Sequence, residues 1–142
     1  MPSRILVGMD DSDGAERALA HALDTHPEAS VTVLHVVGVP SMMMGEAVGL
    51  ALDTDLEEAA AETAEPVFER ARALAAEHDR SIETVVGIGH PARNIVDRAE
   101  AYDAVVLGRH GADRGRLPHR FLVGNVAETV SKRAPVPVVL VP

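Results

Sequence analysis

The sequence contains no cysteine. A chain without thiols has no disulfide framework, no thiolate metal site and no cysteine nucleophile. Lysine is almost missing too: of the 13 basic residues, Lys132 is the one lysine and the rest are arginine. No stretch approaches the ~18 uncharged apolar residues that a membrane-spanning helix needs. The opening MPSRILVGMDDS has a short apolar run before two aspartates, which reads as a strand and not as a signal peptide. These absences together favour the cytoplasm. Catalytic signatures are missing as well. No Gly-Lys-Ser/Thr occurs, so there is no Walker A loop, and no Gly-x-Gly-x-x-Gly follows the first strand. Without Gly-x-Ser-x-Gly, triad chemistry has no support. None of the seven histidines has metal-ligand spacing.

What is present is ordinary in bulk and patterned in detail. A length of 142 residues predicts one domain, 1–142, with a single sizeable core. Acidic residues outnumber basic ones 22 to 13, for a formal net charge of −9. Such a field repels nucleic acid and anionic membranes, so neither is an expected partner.

Taken in order, the chain alternates strand and helix. Ser3–Met9 is a continuous apolar run, as expected of a strand buried on both faces. Ser12 or Asp13 can cap the following helix, with Glu16 placed to complete a capping box from Asp13. Ala15, Ala18, Leu19, Ala22 and Leu23 form that helix's apolar face, and it stops around His26-Pro27. Ser30–Val36 is the second strand, with His35 packed in or beside it. Val37–Leu50 is a loop rich in Gly, Pro and Met, expected to be either a flexible flap with adaptable packing or a lid that touches ligand. A long helix from Thr54 to Glu77 should bury Leu56, Ala60, Thr63, Val67, Ala71 and Leu74, and Pro66 should kink or restart it. Ser81–Val86 is the third strand and Gly87–Pro91 a turn, with Pro91 suited to a first helical position. The next helix presents Ala92, Ile95, Val96 and Ala99. Asp103–Leu107, a helix Asn125–Arg133 and Val136–Val141 complete the order. Pro137 cannot donate to a ladder, which predicts that the last strand lies at a sheet edge.

Five strands alternating with four helices imply an α/β fold: a doubly wound five-stranded parallel sheet, order 3-2-1-4-5, with helices on both faces. Ligands in such sheets bind beyond the carboxyl ends of the strands, where the winding reverses. The loops after strands one and four meet there. Asp10 ends the first strand and is either a ligand-facing carboxylate or part of the capping turn. Its neighbours Asp11 and Asp13 raise the possibility of Mg²⁺. A receiver-type phosphotransfer site fails, however, for want of an Asp after the third strand and a Lys after the fifth. Gly108 and Gly111 frame His110, which faces either ligand or solvent. Arg109, Arg114, Arg116 and Arg120 gather positive charge in one loop, suited to phosphate or simply solvated. Gly124-Asn125 opens a helix whose N–H groups can hold an anion, and Asn125 with Glu128 also makes a capping box.

These pieces together resemble the universal stress protein family over essentially the whole length. Ile5-Leu6-Val7-Gly8-Met9-Asp10 with Ser12 is similar to its opening strand and turn, and Leu34-His35-Val36-Val37 to its second strand. Gly89-His90-Pro91-Ala92 resembles its Gly-x-Pro-Ala turn. Leu107-Gly108-Arg109-His110-Gly111 followed by Leu122-Val123-Gly124-Asn125-Val126 resembles its nucleotide signature, Gly-x2-Gly-x9-Gly-Ser/Thr. The resemblance implies ATP as ligand, with or without Mg²⁺, and a binding or signalling role in stress response. It places Asp10 near the adenosine and Val36 against adenine. Leu107, Gly108, His110 and Gly111 then line ribose and phosphates, while Gly124, Asn125 and Val126 hold the phosphates. It also implies a homodimer through Val136–Val141.

The chain departs from the pattern in three places. Twelve residues separate Gly111 from Gly124, three more than the motif has. Asn125 stands in for Ser or Thr, and Asp11 for the usual glycine. Two rival readings follow: a nucleotide-free dimeric scaffold whose loop Ala112–Arg120 fills the crevice, or a slow metal-dependent ATPase or phosphotransfer enzyme.

Overall fold

The computed structural model describes residues 3–38, 53–109 and 126–142. Strand β1 is Arg4–Gly8, helix α1 Asp13–Thr25, β2 Ser30–Val37, α2 Asp53–Glu77, β3 Glu83–Ile88, α3 Pro91–Ala99 and β4 Ala104–Gly108. Helix α4 covers 126–133 among the described residues, and β5 is Val138–Val141.

The strands form one sheet in the order β3-β2-β1-β4-β5, and every pairing is parallel. This is the expected topology, with the reversal between β1 and β4. Alternation along each strand divides the core into two layers. Ile5, Val7, Val31, Val33 and Val106 turn to one face, where they meet α1 and α2. Leu6, Leu34, Val105 and Leu107 turn to the other, against Ile95 and Ala99 of α3 and Val130 of α4. That is why these strands read as unbroken apolar runs: neither face is wet. Full burial of each such side chain contributes about 1.5–3 kcal/mol.

Several boundaries differ from expectation for local reasons. Ser12 is the N-cap of α1: its Oγ accepts from the Ala15 N–H at 3.1 Å. Asp13 is therefore already the first helical residue, and of the two candidate caps Ser12 is the one used. The carboxylate of Glu16 lies 3.8 Å from Nε of Arg70. Helix α2 runs unbroken through Pro66, so the expected restart does not occur. Ala64, Val67 and Phe68 are buried on either side of the proline and hold that stretch on the sheet. The buried stripe of α2 is Ala60, Ala64, Val67, Phe68, Ala71 and Ala75. Thr63 is exposed, its hydroxyl donating to the Ala59 carbonyl at 2.9 Å.

Strand β3 begins and ends two residues later than expected, carrying Gly87 inside the ladder opposite Val36. A Cβ on Gly87 would sit 2.5 Å from Oδ1 of Asn94, so the asparagine fills the space a side chain would need. Strand β5 begins after Pro137 and pairs only with β4, which places it at the sheet edge as expected. At the opposite pole, Asp103 accepts hydrogen bonds from Ser3 N–H (2.8 Å), Ser3 hydroxyl (2.9 Å) and Arg4 N–H (2.9 Å). This ties the entry of β1 to the entry of β4.

Candidate functional site

At the reversal point the carboxyl ends of β1, β2 and β4 open onto a crevice of about 190 Å³. Its walls are mostly apolar: Leu34, Val36, Pro91, Ile95, Leu107 and Val126. Three polar side chains line it among the described residues: Asp10, Ser12 and His35.

Each wall has a local cause. Pro91 is the first residue of α3, and its fixed φ suits that position. The turn before it needs Gly89, whose φ of +113° lies outside the range favoured by other residues. The Gly89 N–H donates to the Val37 carbonyl at 2.9 Å, which anchors the turn to β2. Asn94 secures the same turn by donating to the Ile88 and His90 carbonyls at 3.1 and 3.0 Å. Gly8 leaves room for its neighbours, since a Cβ there would fall 2.7 Å from Cδ2 of Leu107 and 3.2 Å from Cδ1 of Ile95.

Gly108 has a second reason to be glycine. A Cβ on it would stand 2.8 Å from the Gly14 carbonyl oxygen, 2.9 Å from its carbon and 3.3 Å from the Ala15 nitrogen. The end of β4 therefore rests directly on the first turn of α1. This contact brings the two loops of the site together.

The loop after β1 is held by a chain of hydrogen bonds. The Met9 N–H donates to the Leu34 carbonyl at 2.9 Å, and the Met9 carbonyl accepts from Nδ1 of His35 at 2.8 Å. The Ser12 hydroxyl donates to Oδ1 of Asp10 while its oxygen caps α1. Asp10 is thus oriented by a buried serine at a helix start. Asp11 turns outward and pairs with Arg70 of α2. The two carboxylates of this turn are engaged by different partners. No group of three or more His, Asp or Glu able to hold a metal occurs among the described residues. Nor is any helix among them long and apolar enough to cross a membrane.

Of the residues expected at the site, Asp10, Val36, Leu107, Gly108 and Val126 all line this crevice. His110, Gly111, Gly124 and Asn125 lie outside the described residues, as does the loop at 112–120. The sequence suggests packing for His35 and a capping role for Ser12, and both also line the crevice. The available signal for His35 was a lone polar ring near the carboxyl end of an apolar strand that borders the reversal. Leu34, Pro91 and Ile95 were assigned to the core or to a helix start, with no sign that they also form walls.

The sequence profile of the universal stress protein family matches residues 1–142. A universal stress protein of Methanocaldococcus jannaschii is 32% identical over 145 residues, covering 97% of this chain and 81% of that protein. One from Mycobacterium bovis is 32% identical over 140 residues and covers 96% of this chain. This chain spans 44% of the length of that mycobacterial relative. Among solved structures, the universal stress protein UspA of Lactobacillus plantarum superposes with a TM-score of 0.75 at 29% identity, covering 99% of this chain and 97% of its own. A universal stress protein of Archaeoglobus fulgidus, solved in complex with dAMP, superposes with a TM-score of 0.63 at 27% identity, covering 98% and 97%. Sheet order, the crevice at the reversal and the match along the full chain agree, and the chain belongs to the universal stress protein family.

Proposed function

We propose that this chain is an ATP-binding regulatory domain of stress signalling, spanning residues 1–142, cytoplasmic, and acting as a homodimer. One observation carries the nucleotide part. The crevice sets a carboxylate, Asp10, already oriented by Ser12, between apolar walls that include Val36 and Leu107. The flat aromatic faces of a purine suit such walls, while ribose hydroxyls can donate hydrogen bonds to a fixed carboxylate. The residues present therefore fit a nucleoside. The relative solved with dAMP supports the same ligand class. Val36 packs against adenine, Asp10 faces the adenosine, and Leu107 and Gly108 border the ribose. By the resemblance, His110 and Gly111 join Leu107 and Gly108 in lining ribose and phosphates, and Gly124, Asn125 and Val126 hold the phosphates, with Mg²⁺ as their counterion where a cation is bound. The role is binding and signalling, since the sequence carries neither a Walker A loop nor a triad motif. Dimerisation runs through the edge strand at 136–141.

Calorimetric titration with ATP, ADP and AMP, each with and without Mg²⁺, tests the reading. Heat of binding is expected, strongest for ATP, and Asp10→Ala should weaken it. No heat from any of the three at millimolar concentration would sink the nucleotide assignment and favour a nucleotide-free scaffold.

A further inference from the structure

Met9 lies one residue beyond β1, whose last register pair with β2 is Gly8↔Leu34. The pairing nevertheless continues, through one backbone bond and one side chain. The Met9 N–H reaches the Leu34 carbonyl at 2.9 Å, and the Met9 carbonyl lies 2.8 Å from Nδ1 of the half-buried His35 ring. A carbonyl oxygen can only accept, so Nδ1 carries the hydrogen. With both its donor and its acceptor engaged, the Met9 backbone has little freedom. Because the peptide joining Met9 to Asp10 is planar, fixing that carbonyl fixes the direction in which Asp10 leaves the strand. From the other side, the Ser12 hydroxyl holds the Asp10 carboxylate, and the Ala15 N–H holds Ser12.

We infer that His35 is a positioning residue for the crevice: through the Met9 carbonyl it aims Asp10 at the ligand before any ligand arrives. This rests on the reading that the crevice takes a nucleotide. The imidazole acts through Asp10 and does not itself have to touch the ligand. Holding the carboxylate in place in advance removes an ordering cost from binding. Asparagine carries its NH₂ at the branch position where histidine carries Nδ1, so it can donate to the same carbonyl. Leucine has similar bulk and no donor.

The test compares wild type, His35→Asn and His35→Leu. In ligand-free wild type, long-range proton–nitrogen NMR of the imidazoles should show His35 protonated at Nδ1. The Asp10 side-chain carboxyl ¹³C resonance should move in His35→Leu and stay near its wild-type position in His35→Asn. In titrations, ATP affinity should fall about tenfold in His35→Leu and return to within about threefold of wild type in His35→Asn. Melting curves of all three identify any variant that fails to fold. Protonation at Nε2 alone, or an unmoved Asp10 resonance in folded His35→Leu, overturns the positioning role. So does a folded His35→Asn that binds ATP as weakly as His35→Leu, since the ring itself would then be needed at the ligand. Absence of ATP binding by wild type overturns the nucleotide reading instead, and the two resonance measurements still judge the positioning by themselves.

Discussion

Two glycines at the site differ in what surrounds them, and the difference can be measured. A methyl group on Gly108 would meet the backbone of Gly14 and Ala15, at 2.8 to 3.3 Å. Backbone in the first turn of a capped helix cannot step aside alone, so α1 and β4 must separate. Gly108→Ala should therefore cost about 1–3 kcal/mol of stability, as overpacking does, seen as a lower urea midpoint. A methyl on Gly8 would meet the side-chain ends of Leu107 and Ile95, which can rotate. They have the crevice to move into, since both line it. Gly8→Ala should shift the urea midpoint less than Gly108→Ala and weaken nucleotide binding more for each unit of stability lost. An equal loss of both properties in the two variants would show that the contrast in surroundings has no energetic consequence. The sequence marked Gly108 as a ligand-approach glycine. Its contact with α1 was not legible, because the partner, Gly14, is brought there only by the parallel pairing of β1 with β4. His35, Asn94 and Arg80 were hidden for the same reason. Arg80, for example, donates to the Leu23 and Ala29 carbonyls at 2.9 and 2.5 Å, across 57 and 51 residues of chain. Local periodicity carries no trace of such a bond.

Elements were easier to read than their edges. Apolar runs and helical spacing located all five strands, and Pro137 placed β5 at the sheet edge. The buried face of α2 was half misread, because alanine recurs so often there that several stripes satisfy the same period. Only the sheet decides that Ala64, Phe68 and Ala75 go inside and Thr63 outside. Tertiary contact likewise fixes how β1 and β4 begin. The backbone N–H of Ser3 is the main influence holding the Asp103 carboxyl below its ordinary value of 3.8, followed by the Arg4 N–H and the Ser3 hydroxyl. A carboxyl with a lowered folded value binds protons more weakly in the native state than in the unfolded chain. Its stabilisation is complete above the unfolded value near 3.8 and is lost as pH falls through the folded value. Melting temperature followed downward from neutral pH should thus include an acid-side loss that Asp103→Asn lacks. The variant should already be less stable at neutral pH, since an amide oxygen is a weaker acceptor than a carboxylate. Parallel acid limbs for the two proteins would remove Asp103 from the account.

At the scale of the molecule, the sheet has two outer edges among the described residues, β3 and β5, and β5 is the one without a charged residue. Val138–Val141 pairs with β4 on one side and has no described strand on the other. An unpaired strand edge is a template for another chain, and charge on the edge is the usual protection against it. Here the strand is Val-Val-Leu-Val between Pro137 and Pro142, with no charge at all. Leu140 is exposed at 37%, the one large apolar side chain so exposed among the described residues. An uncharged apolar edge suits pairing with a second copy, as the proposed homodimer requires. Leu140→Arg puts a cation where the copies would meet and should convert a species of twice 15.0 kDa into one of 15.0 kDa by sedimentation. Because no β5 residue lines the crevice, nucleotide affinity per chain should stay within about twofold, well under the ~1.4 kcal/mol of a tenfold change. A wild type that sediments at 15.0 kDa, or a variant that stays at twice that mass, would place the dimer contact elsewhere or remove it. A variant that becomes monomeric and also loses nucleotide would couple β5 to the crevice. The one covalent route is then the short segment from α4, which supplies Val126 to the crevice wall and leads directly into β5.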